Sequence, residues 1–215
     1  MRTSSPQLLI VFATFKEAER TIELIRADGI ENKRLYRFER GYVLITGVGA
    51  IAAAQAVAQH LDGADEVWNW GLAGSLHKEL EVGKTYRIKV GAKYLSIPSY
   101  CDAHSRRFAE AAHPTLTIAK EGLNLITTDY PVNHPELRKE LAKTHDLVDM
   151  EGYGVSYACK QENKPCIQWK TVSDLADENS AKHIQEKIGS LSQKIANEIV
   201  TFLNGTNIAE VMRRR

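Results

Sequence analysis

The stretch Leu8-Leu9-Ile10-Val11-Phe12-Ala13 determines how the rest of the chain is interpreted. It is an uninterrupted apolar run with no alternating polar residues, a pattern typical of a strand that is buried on both faces. Phe15, Ala18, Ile22 and Ile25 then follow at helical spacing. The sequence therefore opens with a strand and a helix, the unit from which sheets covered by helices on both faces are assembled.

The same strand-then-helix unit recurs along the chain. Tyr42-Val43-Leu44-Ile45 predicts a second strand, and apolar residues between 51 and 61 predict the helix after it. The apolar patterns predict further strands at 67–70, 85–90, 124–127 and 166–172, and further helices at 151–161 and 184–202. No repeat or low-complexity linker interrupts this alternation. We expect one α/β domain over residues 1–215, with its core at about 8–203, as three αβα layers around a mixed, mostly parallel sheet.

Composition excludes several classes of protein. Of the 215 residues, 43% are hydrophobic and 26% are charged, which is near the globular average. Lys and Arg number 28 against 27 Asp and Glu, so the formal charge is +1 and no broad field attracts nucleic acid or an anionic membrane. The run from Leu8 to Ala13 is far shorter than the roughly 18 residues of a membrane span. The N-terminal segment 1–6 shows no signal-peptide pattern, so a cytoplasmic location is expected. The arginines at 213–215 predict a solvated C-terminal tail.

Several common active-site chemistries have no motif in this sequence. The three cysteines, Cys101, Cys159 and Cys166, lack Cys-x-x-Cys spacing, which predicts neither a disulfide framework nor a thiolate zinc site. The seven histidines are scattered without metal-ligand spacing, so no metal is expected. Neither a G-x-S-x-G elbow nor a Walker lysine motif occurs.

Two glycine-rich stretches follow predicted strands. The first, Gly47 to Ala52, matches the G-x-G-x-x-A dinucleotide fingerprint, but the acid that NAD binding requires is missing from the end of the next strand, at Trp70-Gly71. Two other interpretations stay open for it: a tight turn with close helix packing, or backbone N–H groups that face a small molecule. The second, Gly71 to Ser75, predicts either a plain turn or a close approach to a flat ligand. No cofactor is predicted.

Three acids follow buried strands at separate places in the chain. Glu17 and Glu151 each suit the first turn of a helix, and Asp174 suits an N-cap position. Because ligands bind at the carboxyl ends of strands in such sheets, we expect the three to share one pocket. Carboxylates that are partly desolvated together separate in pKa, so one holds a proton and another accepts one. That pairing suits cleavage of a glycosidic bond, with an acid for the leaving group and a base for water.

Five motifs in order along the chain resemble the purine nucleoside phosphorylase and nucleosidase family, in particular its hydrolytic branch. They lie at 13–17, 46–53, 69–74, 150–151 and 173–177, and the resemblance extends from about Leu8 to about Phe202. It implies a nucleoside phosphorylase-like fold and an N-glycosyl hydrolase that needs no cofactor. Residues 71–74 and 149–153 are closer to futalosine hydrolases of menaquinone biosynthesis. The leading substrate is therefore futalosine or its 6-amino analogue, with 5′-methylthioadenosine and S-adenosylhomocysteine close behind.

The resemblance also implies catalytic roles for the acids. Asp174, oriented by Ser173, would protonate or hydrogen-bond the purine at N7. Glu17 would position and deprotonate the attacking water, and Glu151 would hold the ribose hydroxyls. Further substrate-binding residues are expected around them: Met150 on the sugar, Tyr130 stacked on the base, Val132 at the base edge, Ala73 and Gly74 along the ligand, and Lys170 where related enzymes carry an arginine near the water.

One departure from the family sets the expected nucleophile. Phosphorylases of this group use arginines to hold phosphate, and the predicted strand ends offer none at matching places, so water is the expected nucleophile. The 5′ pocket is expected to involve the loops around 94–104 and a second subunit of a homodimer. A phosphate-dependent phosphorylase and a non-catalytic purine-nucleoside binding protein on the same fold stay open as alternatives.

Overall fold

A computed structural model describes residues 7–97 and 100–205, so the segment 1–6 and the tail 213–215 lie outside the described residues. The strands are β1 (Leu8–Phe12), β2 (Asp28–Glu31), β3 (Leu35–Phe38), β4 (Gly41–Ile45), β5 (Glu66–Ser75), β6 (Thr85–Lys93), β7 (Leu116–Thr117), β8 (Leu123–Thr127), β9 (Leu147–Asp149) and β10 (Cys166–Asp174). The helices are α1 (Phe15–Leu24), α2 (Ala50–Ala58), α3 (Ala103–Ala112), α4 (Pro135–Leu141), α5 (Gly152–Gln161) and α6 (Ser180–Asn204).

Strand β1 is buried on both faces, as its apolar run predicts. Its residues at 8, 10 and 12 pack into a core with Ala18 and Ile22 of α1 and with Ile195 and Ile199 of α6. Its residues at 9 and 11 pack into a second core with residues of α2 and α5. Since successive side chains of a strand point to opposite faces, this one strand joins two helical layers. The predicted α/β architecture with helices on both faces of a central mixed sheet is confirmed.

The sheet runs in the order β10-β6-β8-β9-β5-β1-β4-β3-β2, and β10 also pairs with β5. That extra pairing closes five of the strands into a ring, whose interior is filled by Ala73, Ile88, Leu125, Leu147 and Val172. Strand β1 pairs in parallel with both β4 and β5, and β5 pairs in parallel with β10. The carboxyl ends of these strands therefore come together at one edge, beside the mouth of the ring.

The structure corrects two expectations about the sheet. Residues Gly71 to Ser75 form no turn, because β5 continues through them and pairs with β10 and β9. The sheet is also less parallel than predicted, because β2, β3, β7 and β9 were not recognised and all four make antiparallel pairs. These strands have two to four residues, too few to show an apolar period. Within the described ranges, none of the helices combines the length and the apolar composition needed to cross a membrane.

Candidate active site

A cavity of about 260 Å³ lies where the ends of β1, β5, β9 and β10 meet. It contains the three acids that were expected to share a pocket, Glu17, Glu151 and Asp174. Other predicted site residues also line it: Ala73, Gly74, Val132, Met150 and Ser173. The sequence did not single out most of the remaining lining, which is Ala13, Thr14, Val48, Leu72, Thr128, Pro131, Val148, Asp149, Ala176, Ser180, Ile184 and Ile188.

Glu17 caps the start of helix α1 and also lines the cavity. It is the third residue of α1 and forms a capping box with Thr14, whose backbone N–H and hydroxyl donate to Glu17 Oε2 at 2.9 and 2.8 Å. Its other oxygen, Oε1, accepts the backbone N–H of Leu72 at 3.0 Å. A Cβ on Gly71 would lie 3.2 Å from Glu17 Oε1 and 3.5 Å from Lys170 Nζ, so the glycine leaves room for both groups. The buried carboxylate is thereby fixed at the edge of the cavity.

Glu151 precedes α5 but forms no side-chain cap there. Its Oε1 instead accepts the backbone N–H of Gly49 at 2.8 Å, across 102 residues of sequence. Gly49 has a φ of 102°, in the left-handed region that favours glycine. The N–H of Gly49 is therefore not free for a dinucleotide or another small molecule. A Cβ on Gly154 of α5 would collide with the backbone oxygen of Ala50, so the geometry favours the interpretation as a tight turn with close helix packing.

The pKa of Glu151 is raised to about 7. Burial is the largest cause, because it penalises the charged form, and the neighbouring carboxylate of Asp149 adds to the rise. The ammonium group of Lys170 and the N–H of Gly49 act in the opposite direction and limit the rise. Near neutral pH, Glu151 therefore exchanges readily between its neutral and ionised forms.

Asp149 and Lys170 form a buried ion pair behind the cavity wall. Lys170 Nζ lies 2.9 Å from Asp149 Oδ2, and the two side chains are 3% and 1% exposed. Asp149 also accepts the hydroxyl of Thr127 at 2.6 Å and the backbone N–H of Gly152 at 2.8 Å. Burial lowers the pKa of Lys170, but the carboxylates of Asp149, Glu151 and Glu17 together raise it more, so the ammonium form is retained.

This ion pair bears on the role predicted for Lys170. Lys170 does not line the cavity and its ammonium group is paired with Asp149, so its contact with a ligand stays a prediction. Asp149 is not among the predicted site residues, although it ends a short apolar run just before Met150-Glu151 and begins the family-like stretch 149–153.

Asp174 is the last residue of β10, and neutral groups hold both of its oxygens. Ser173 Oγ donates to Oδ2 at 2.5 Å. The backbone N–H of Ala176 and Oγ of Ser180 donate to Oδ1 at 2.8 and 2.5 Å. Helix α6 begins six residues later with Asn179 as its N-cap, so the N-cap interpretation of Asp174 is wrong. The acid is buried at the cavity edge without serving the helix.

Tyr130 is the second predicted site residue that the cavity does not include. Its side chain is 46% exposed, while Pro131 and Val132 after it line the cavity. A tight turn, in which Thr128 Oγ1 donates to the carbonyl of Tyr130 at 2.7 Å, precedes them. The aromatic face expected from Tyr130 is absent from the described wall, whose apolar surface comes from aliphatic residues such as Ile184.

The charges at the cavity are mostly negative. Glu17, Asp149, Glu151 and Asp174 line it, whereas no arginine or lysine does so within the ranges 7–97 and 100–205. The nearest cation described, Lys170, is paired with Asp149. A site of this kind contains a carboxyl group that can hold a proton, such as Glu151. It also contains carboxylates that can accept a proton.

The chain belongs to the phosphorylase superfamily, whose family model matches residues 8–204. The structure is similar to futalosine hydrolase of Helicobacter pylori, with a TM-score of 0.80 and 16% identity, over 94% of this chain and 98% of that one. It is also similar to the MTA/SAH nucleosidase of Streptococcus pneumoniae in complex with 8-aminoadenine, with a TM-score of 0.78 and 18% identity, over 93% of this chain and 100% of that one.

A third similar structure is the 5′-methylthioadenosine/S-adenosylhomocysteine nucleosidase of Neisseria meningitidis in complex with methylthio-immucillin-A. Its TM-score is 0.74 at 22% identity, over 94% of this chain and 100% of that one. No curated protein matches the sequence significantly. At these identities the structural likeness shows the fold, and the activity has to be argued from the site.

Proposed function

We propose that the protein is a nucleosidase that hydrolyses the N-glycosidic bond of a 5′-modified purine ribonucleoside, releasing the free base and the ribosyl product. The observation that carries this proposal is the meeting of Glu17, Glu151 and Asp174 around one cavity, each in a different environment. The nucleosidases among the similar structures support it, since their names record the same bond cleavage.

The three acids divide the reaction between them. Asp174, in its neutral form, donates a proton to N7 of the purine while the bond between C1′ and N9 breaks and its electrons pass to the base. Glu17 accepts a proton from the water whose oxygen bonds to C1′. Glu151, once ionised, accepts the ribose hydroxyls, and Met150 packs on the sugar. The backbone of Val132 reads the edge of the base, with Ala73 and Gly74 beside the ligand.

Water is the proposed nucleophile because of the charges at the cavity. Glu17 and Glu151 repel a phosphate dianion when they are ionised, and the described lining supplies no arginine or lysine to offset them. Lys170 does not supply this charge, since it is paired with Asp149. A phosphorylase would need a cation that is free to bind phosphate.

The proposed substrates differ at the 5′ position. Ile184 and Ile188 of α6 add apolar surface to the cavity wall, which suits an apolar 5′ substituent. Futalosine and 6-amino-6-deoxyfutalosine are the leading candidates, and 5′-methylthioadenosine and S-adenosylhomocysteine follow closely. The aryl ring of futalosine and the thioether carbons of the other candidates present apolar surface to such a wall, whereas the carboxylate of futalosine and the amino-acid group of S-adenosylhomocysteine need polar partners beyond it.

We further propose that the protein acts as a homodimer. Ile51 on α2 is 82% exposed, and Val48 just before that helix is 58% exposed although it also lines the cavity. A second copy that covers this apolar surface would complete the cavity wall at Val48. Light scattering on the wild type and on Ile51→Glu tests this: a dimer that the substitution dissociates is expected, whereas a monomeric wild type would contradict it.

The function is tested with a panel of futalosine, aminofutalosine, methylthioadenosine, S-adenosylhomocysteine and inosine, with and without phosphate. Free adenine or hypoxanthine should appear without phosphate, and Asp174→Asn should abolish its release. A strict phosphate requirement would establish a phosphorylase instead. Binding without base release, equally strong in Asp174→Asn, would identify a non-catalytic binding protein.

A further inference from the structure

Ser180 is a buried residue of the cavity that the proposed mechanism does not use. It is the first residue of α6, is 8% exposed and lines the cavity. Its hydroxyl lies 2.5 Å from Oδ1 of Asp174, across six residues. This contact is as short as the one between Ser173 and the other oxygen of the same carboxyl group.

The direction of the Ser180 hydrogen bond follows from its other partner. The backbone N–H of Asp177 donates to Ser180 Oγ at 2.8 Å, and an N–H can only donate. The hydroxyl hydrogen of Ser180 remains available, and Asp174 Oδ1 is its acceptor. Oδ1 also accepts the N–H of Ala176 at 2.8 Å, so two donors converge on this one oxygen.

Backbone geometry and packing keep these donors in place. Ala176 has a φ of 50°, a left-handed conformation that is unfavourable for residues other than glycine. This conformation lies within the turn that returns the N–H of Ala176 to Asp174. A Cβ on Gly74 would come within 3.2 Å of Asp174 Oδ1 and 3.1 Å of the Ala176 side chain, so the same oxygen is also closely enclosed by β5.

Ser173 differs from Ser180 because its hydroxyl has two acceptors. Its Oγ lies 2.5 Å from Asp174 Oδ2 and 3.3 Å from the carbonyl oxygen of Ala73. It can therefore donate to an ionised Asp174, or donate to Ala73 while it accepts a hydrogen bond from the protonated Oδ2 of a neutral Asp174. Oδ2 thus has a neighbour that suits both protonation states, and Oδ1 does not.

We propose that Ser180 is a positioning residue that keeps the catalytic proton off Oδ1 of Asp174, so that Oδ2 carries this proton and delivers it to the purine. The proposal rests on the nucleosidase function proposed above. An oxygen that already accepts two hydrogen bonds is a poor place for a proton, whereas Oδ2 can share one with Ser173. When Oδ2 gives its proton to N7, Asp174 becomes a carboxylate, and Ser173 turns to donate to it.

The test compares Ser180→Ala with Ser180→Thr, which keeps the hydroxyl, and with the wild type. Loss of the donor leaves the Asp174 carboxylate less stabilised, so the acid is weaker. We expect kcat to fall about 10- to 100-fold in Ser180→Ala, with KM within twofold, because hydrogen bonds to charged groups are strong. Ser180→Thr should recover most of kcat.

The pH profile of kcat separates positioning from a structural effect. The basic limb of this profile should move to higher pH in Ser180→Ala and return in Ser180→Thr, because the lost donor favours the charged form of its acceptor. Glu17, Asp149 and Glu151 also line the cavity, but they are unchanged in these variants. An analogue methylated at N7 already carries a cationic base, so Ser180→Ala should cleave it at the wild-type rate.

Each outcome bears on one claim. If the wild type releases no base from any nucleoside, the proposed function is wrong. If the wild type is active and Ser180→Ala keeps both its kcat and its pH profile, the role of Ser180 is wrong and the function stands. Should Ser180→Ala fail to fold, Ser180→Cys supplies a weak donor of similar size, and a kcat equal to that of the wild type would also overturn the proposal.

Discussion

Two parts of the cavity wall hold their carboxylates in different ways. In the charged corner, formed by Asp149, Glu151 and Lys170, one buried and one partly buried acid lie beside one ammonium group. In the neutral corner, Asp174 accepts hydrogen bonds from Ser173, Ala176 and Ser180, none of which carries a charge. The charged corner depends on the charge of each member. The neutral corner has no counter-ion, so an ionised Asp174 is stabilised there only by its three hydrogen-bond donors.

The largest expected effect comes from removing the cation of the charged corner. Lys170→Met would leave the buried carboxylate of Asp149 without its counter-ion, although Thr127 and Gly152 still donate to it. Breaking a buried pair from one side typically costs about 3–5 kcal/mol, because an uncompensated charge remains. Urea denaturation should show a loss of unfolding free energy of that size.

An exposed ion pair provides the matched control. Lys194 lies 3.2 Å from Glu198 on α6, and its side chain is 44% exposed. Lys194→Met should change the unfolding free energy by no more than about 0.5 kcal/mol, because exposed pairs are screened by water. Adding Asp149→Asn to Lys170→Met should recover part of the loss, because the unpaired charge is gone. If the two lysine variants were equally stable, the charged corner would not be held by this pair.

The next effect is a pH dependence that comes from Glu151. Its pKa is near 4.5 in the unfolded chain and about 7 in the folded protein. Between these values the folded state keeps a proton that the unfolded state has released, so the stability contributed by Glu151 is lost as pH rises through this range. The loss is about 3 kcal/mol once pH exceeds 7.

Glu151→Gln tests this contribution, because glutamine does not titrate. Relative to the wild type, the variant should gain unfolding free energy steadily from pH 4.5 to pH 7 and show no further change above that range. Urea denaturation at closely spaced pH values measures this difference. Parallel stability curves for the two proteins across the range would contradict the raised pKa of Glu151.

The two corners also differ in how far the sequence predicted them. Asp174 was predicted because it follows the strand predicted at 166–172, and the sequence pattern shows such a strand without any knowledge of its neighbours. Lys170 lies within the predicted strand 166–172, and its partner Asp149 is 21 positions earlier, so their contact depends on how β9 and β10 are placed. The hydrogen bond between Gly49 and Glu151 spans 102 residues, so the sequence pattern could not predict it either. Periodicity predicts which elements form, whereas these contacts depend on the order of the strands.

Tyr130 shows a second limit. The chemistry of base stacking suggested an aromatic residue near 130, but the direction of a side chain in a turn depends on backbone angles that periodicity does not report. Ser180 was not predicted as a site residue. The apolar pattern predicted that the last helix begins at 184, whereas it begins at Ser180.

The smallest expected effect concerns Glu17, which is held by neutral donors as Asp174 is. Thr14→Ala removes the hydroxyl that caps α1 and donates to Glu17 Oε2, and N-cap losses of this kind cost about 1 kcal/mol. The backbone N–H of Thr14 and that of Leu72 still hold the carboxylate, so the fold persists. Because Glu17 is then less well oriented toward water, kcat should fall roughly tenfold. Thr14→Ser keeps the hydroxyl and should retain both stability and kcat. A Thr14→Ala protein that loses stability but keeps full kcat would show that Glu17 serves the helix alone, and the proposed base would then have to be another of the cavity carboxylates.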